Sequence, residues 1–136
     1  MKFQDLKLLP GDRIVVPKSR WNFIQHHAIY LGTNVQGDHV FAENKSGIGV
    51  RLVTDAEFFE GVTRITAIER FKGSKQEREL AVERALSCLG IAYELIDYNC
   101  EHFANEVQYQ KRESKQVTNV LAGLFLGLIA GAILSD

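Results

Sequence analysis

Cys100 stands in the run Asn99-Cys100-Glu101-His102-Phe103, directly after an asparagine of the kind that caps helices. That context places the thiol at the first turn of a helix. There the positive end of the helix dipole favours thiolate, the nucleophilic form. A nucleophilic cysteine needs a base, and usually a group that orients the base. The chain has four histidines, at positions 26, 27, 39 and 102. His102 follows Cys100 by two positions, which on a helix turns its side chain about 200° away. It is a poor base for this thiol, and a structural contact on the helix flank is expected instead. His26 and His27 lead into His27-Ala28-Ile29-Tyr30-Leu31-Gly32, a strand-like run. Alternation along a strand puts the two rings on opposite faces, so one can face the helix carrying Cys100 and the other cannot. Spacing alone does not choose between them, and a solvated polar residue at a strand end is the bland alternative for either. Cys88, beside Leu86 and Leu89, reads as a small buried apolar residue.

The elements that must position these residues follow from local pattern. Leu8 to Asp12 reads as a turn, Arg13 to Val16 as a short strand, and Pro17 to Gln25 as a loop. His27 to Leu31, His39 to Glu43 and Val50 to Val53 read as further strands. Thr54 with Glu57 forms a capping box that predicts a short helix through Phe59. Val62 to Phe71, rich in Val, Ile and Thr, reads as a longer strand. Ser74 with Glu77 opens a second capping box, and Leu80, Ala85, Leu86 and Leu89 follow near helical spacing until Gly90. Asn99 caps the next helix, which buries Phe103 and Val107 with Ala104 beside them. A strand-rich half followed by two helices predicts an α+β domain, a small antiparallel sheet packed with helices.

At 136 residues, with 16 basic and 17 acidic side chains, the chain reads as one near-neutral folded domain. That balance argues against a nucleic-acid partner held by phosphate contacts. Two cysteines are too few for a disulfide scaffold. Met1 to Asp5 lacks the apolar core of a signal peptide, so a cytoplasmic, reducing setting is expected. No cofactor and no metal is expected. Residues 113–136 break the globular pattern of residues 1–112. From Val117 to Leu134 no residue is charged, and Lys111, Arg112 and Lys115 lie just upstream. As a helix that run spans about 27 Å, near the thickness of a bilayer core. It is expected to be an apolar membrane-anchoring or transmembrane tail, with an interfacial or re-entrant placement as the alternative. Gly123, Gly127 and Gly131 line one face of it, a pattern suited to homo-oligomer contacts. Trp21, flanked by Lys18 and Arg20, suits a membrane interface.

The histidine strand His26-His27-Ala28-Ile29-Tyr30-Leu31-Gly32, followed much later by Asn99-Cys100-Glu101-His102-Phe103, resembles the lecithin:retinol acyltransferase-like family. That family includes the HRAS-like suppressor phospholipases and acyltransferases. Gly11-Asp12 resembles its opening turn, and the likeness covers residues 8–110. The resemblance implies a circularly permuted papain-like fold, with the base strand before the nucleophile helix. It implies Cys100 as nucleophile. It implies His26 as base, two positions before the Ala-Ile-Tyr run, with His27 replacing an aromatic. Family members carry a second histidine on the next strand, where it orients the first. This chain departs there: aligning Phe41-Ala42 with the family's apolar pair puts Glu43 in that role, with His39 and Asn44 as alternatives.

The chemistry implied is attack of thiolate on an acyl carbonyl, a thioester on Cys100, and release to water or to an amine or alcohol acceptor. The backbone N–H of Cys100 is a candidate oxyanion donor. A phospholipid or other acyl lipid is the expected substrate, hydrolysed or used for acyl transfer at a membrane. Two alternatives remain at this point. One is a cysteine peptidase or amidase acting on a cytosolic amide. The other is a membrane-embedding, oligomerising protein acting through its Gly-rich tail.

Overall fold

The computed structural model describes residues 6–18, 24–96 and 98–119. Runs rich in β-branched and aromatic residues form strands β1 (Arg13–Pro17), β2 (Gln25–Thr33), β3 (His39–Lys45), β4 (Gly49–Thr54) and β5 (Ala67–Glu69). They join as one antiparallel sheet in the order β4-β3-β2-β1-β5. Helices α1 (Asp55–Phe58), α2 (Lys75–Ser87) and α3 (Cys100–Tyr109) pack on it, and residues 115–119 are helical as well. The class is α+β.

Strand alternation divides the sheet between two cores. Ile29 and Ala42 face α2 and α3, packing with Ala81, Ala85, Phe103 and Val107. Ile14, Val16, Ala28, Tyr30 and Phe41 face the other side, where Phe58 of α1 and Leu8 cover them. Phe41 and Phe58 stack there with ring centroids 4.9 Å apart. At the opening turn the buried Asp12 carboxylate is held by Arg78 at 2.7 Å, by Arg70 at 3.1 Å and by the N–H groups of Leu9 and Phe71. This ties β1 to the segment before α2.

The helix starts follow their caps. At Ser74 both halves of the box with Glu77 are present, and the Thr54 hydroxyl accepts from Glu57 N–H at 3.4 Å. Two readings need correction. The strand expected over Val62 to Phe71 shrinks to Ala67–Glu69, because β1 offers it only Arg13, Ile14 and Val15 as partners. Upstream, Val62 N–H closes the turn after α1 on Phe59 O, and Val62 and Ile65 turn inward to cover the α1 core. In α2 the buried face is Ala81 and Ala85, continued by Cys88, whereas Leu80, Leu86 and Leu89 are exposed. The small face fits closely against α3, and Cys88 is the buried apolar residue expected.

Val117 to Asn119, the start of the expected apolar tail, is helical. The rest of that run, with Gly123, Gly127 and Gly131, lies outside the described residues, as does Trp21. Among the described residues no helix is long and apolar enough to cross a membrane.

Candidate active site

The β2–β3 ladder ends at the pair Ala28↔Glu43. Beyond it the strands part, and the corner Tyr98-Asn99-Cys100 enters the gap. Asn44 anchors that corner: its Nδ2 donates to Tyr98 O at 2.9 Å and to Asn99 O at 3.2 Å. Asn99 then caps α3, its Oδ1 accepting from the N–H groups of Glu101 and His102. His102 completes the box, its Nδ1 accepting from Asn99 N–H at 3.0 Å, the structural contact expected of it. The buried Cys100 thiol is left facing the start of β2, with Sγ 3.6 Å from Gln25 O.

His26 pairs across the sheet with Val16, on the α1 face, and its ring lies 6.0 Å from that of Phe58. It is His27 that shares the face of α3, with Nε2 3.4 Å from Glu101 Oε2. A helix lying flat on one face would therefore meet His27, whereas the resemblance implies His26. Cys100 does not approach over a face. Its Sγ faces Gln25 O at the start of β2 that β3 leaves unpaired, one residue before His26.

His26 Nε2 lies 2.8 Å from Glu43 Oε1, and Arg51 Nε donates to Glu43 Oε2 at 2.9 Å. A carboxylate only accepts, so Nε2 carries the proton towards Glu43 and Nδ1 points away from the carboxylate. Among the described residues that buried Nδ1 has no hydrogen-bond partner. Burial disfavours the charged ring, but the Cys100 sulfur and then the Glu43 carboxylate overcome it and raise the His26 pKa to about 9. Burial likewise opposes the Cys100 thiolate. His26, the His27 backbone N–H and the charge of Lys18 outweigh it and lower the thiol's pKa. Glu43 is held below its ordinary value by His26 and Arg51 against its burial. The three shifts run toward thiolate, imidazolium and carboxylate.

The alternatives for the third position are engaged elsewhere. His39 Nδ1 lies 2.8 Å from the Tyr30 hydroxyl, and Asn44 serves the Tyr98–Asn99 backbone. His27 is locked differently from His26. Its Nδ1 faces the buried Arg13 guanidinium at 2.7 and 3.0 Å, and Arg13 also donates to Asn105 Oδ1 at 2.6 Å. Burial and then Arg13 push the His27 pKa down to about 3, so this ring stays neutral. Arg13 and Arg51 shape the site without having stood out in the sequence, and Glu101 enters there only as part of the cysteine run. Arg13 leads an otherwise apolar strand, the one local signal among them. Among the described residues no cluster of His, Cys, Asp and Glu could hold a metal ion.

The family model described as lecithin retinol acyltransferase matches residues 6–113. No curated protein matches the chain. The match spans the opening turn, the histidine strand and the cysteine helix, so the chain belongs to the lecithin retinol acyltransferase family, whose enzymes are of the acyltransferase and hydrolase type.

Proposed function

We propose that the protein is a thiol-dependent phospholipid acyl hydrolase or acyltransferase working at a membrane surface. The observation that carries this reading is the cysteine at a helix N-terminus beside a histidine whose far nitrogen is 2.8 Å from a buried carboxylate. The order of its parts, base strand first and nucleophile helix second, suits a circularly permuted papain-like enzyme.

In the proposed cycle the Cys100 thiolate attacks the ester carbonyl carbon, and the carbonyl π pair moves to oxygen. The Asn99 side chain caps the N–H groups of Glu101 and His102 but leaves that of Cys100 unpartnered among the described residues. That N–H is the oxyanion donor in this scheme. As the C–O bond breaks, His26 gives its Nδ1 proton to the leaving lysolipid alkoxide, and Glu43 holds the ring throughout. His26 then takes a proton from water, or from an alcohol or amine acceptor. The oxygen or nitrogen attacks the thioester and Cys100 leaves as thiolate.

Support for a lipid surface comes from the opening. Ile24, one residue before Gln25, is exposed, and so are Leu95 and Ile96 just ahead of the Asn99 corner. The uncharged run from Val117 to Leu134 adds a tail suited to the same surface. The test is release of lysolipid and fatty acid from phosphatidylcholine vesicles. Cys100→Ala is expected to abolish it. Equal release by that variant would remove the thiol from the mechanism.

A further inference from the structure

The chain leaving α3 doubles back and fastens to both halves of the site. Past Ala28↔Glu43, β3 no longer pairs with β2, so the Gln25 backbone lacks a strand on that side. Gln116 takes the strand's place. Its Oε1 accepts from Gln25 N–H at 2.9 Å, and its Nε2 donates to Gln25 O at 3.4 Å. This is the carbonyl that the Cys100 thiol faces, and His26 is the next residue. On the other side, Gln116 N–H donates to Glu101 Oε1 at 3.2 Å, one residue after the nucleophile. Two residues earlier, Ser114 Oγ accepts from Asn99 Nδ2 at 3.3 Å and from Val117 N–H at 3.2 Å. Ser114 thereby ties the same segment to the cap of α3.

We propose that Gln116 is a positioning residue for the acyl-transfer reaction, holding the start of the histidine strand against the first turn of the cysteine helix. Among the described residues its hydrogen bonds go to the Gln25 backbone and to Glu101, so it acts by setting how closely His26 and Cys100 approach. The inference rests on the reading of Cys100 as nucleophile and His26 as its base.

The test uses the full chain and follows alkylation of Cys100 by iodoacetamide against pH, resolved from Cys88 by peptide mass. Gln116→Met fills similar space without the amide bonds. Ser74→Ala removes the α2 cap, away from the site, as a control for lost stability. Gln116→Met is expected to move the thiolate titration up by about one unit, slowing alkylation about tenfold at pH values well below the wild-type midpoint. Ser74→Ala, with an equal or larger fall in Tm, is expected to keep the wild-type profile. Gln116→Ala carries the same expectation should the methionine variant not fold. A wild-type profile in the Gln116 variants, or an equal shift in Ser74→Ala, would overturn the inference. If Cys100 of the wild type titrates as an ordinary thiol, the nucleophile reading falls and this inference with it.

Discussion

His26 and Glu43 meet across the end of the β2–β3 ladder, Nε2 to Oε1 at 2.8 Å, with the second carboxylate oxygen held by Arg51 at 2.9 Å. The contact fixes the tautomer of the ring and, with it, which nitrogen can serve Cys100. It also supplies the negative charge that lets a buried imidazolium persist.

Glu43→Gln keeps the shape and removes that charge. Turnover is expected to fall about a hundredfold, within the usual contribution of general acid–base catalysis. The alkaline limb of the pH–rate profile, set by a His26 pKa of about 9, is expected to move toward neutrality. A variant profile superimposing on the wild type would dismiss Glu43 as the orienting group.

Cys100→Ser removes the largest favourable neighbour of the ring while burial continues to oppose its charge. The His26 pKa, followed by imidazole proton NMR, is expected to drop from about 9 toward 6.5. Stability should follow in sign. A pKa raised on folding stabilises fully below 6.5, and that contribution is lost as pH rises through about 9. Cys100, whose pKa is lowered on folding, contributes with the opposite slope over the same interval, so the imidazole titration and not Tm reads the change. An unchanged titration would separate the cysteine from the histidine.

His27 gives the opposite limb. Its folded pKa of about 3 lies below the ordinary 6.5, so its contribution is present above 6.5 and lost as pH falls toward 3. His27→Asn keeps an acceptor for Arg13 without a titrating ring, and should flatten the fall in Tm between those values. An equally steep fall in the variant would assign the acid limb to other groups.

Gly49 combines a φ of +98° with a close approach to the Ile91 carbonyl, which a Cβ would strike. The same carbonyl accepts from Val50 N–H at 2.9 Å, joining β4 to the chain that follows α2. Gly49→Ala is expected to cost about 2–4 kcal/mol in denaturant unfolding. A loss below about 0.5 kcal/mol, as for an ordinary surface change, would show that this junction yields freely.

What could be read in the sequence was local. The Asn99 cap, the Ser74 box and the alternating strands each depend on residues a few positions apart, and each appears where the pattern placed it. The Phe41-Ala42 register also brought Glu43 to the position where it meets His26. What failed depended on partners distant in the chain. The strand at Val62 to Phe71 is cut short by the edge of β1, and the leucines of α2 stay outside because its alanines suit α3. Alternation could separate His26 from His27 but not choose between them, because the opening in the ladder is set by β3. Arg13 reaches Asn105 across 92 positions, and Gln116 reaches Gln25 across 91, separations that carry no local periodicity.

The central claim is that Cys100 carries the acyl group. Its direct test is intact-protein mass spectrometry after brief incubation of the full chain with phosphatidylcholine vesicles and an acid quench. An acyl-sized mass gain is expected on the wild-type chain and not on Cys100→Ala. Lysolipid release with no adduct on the wild type, and undiminished in Cys100→Ala, would contradict it.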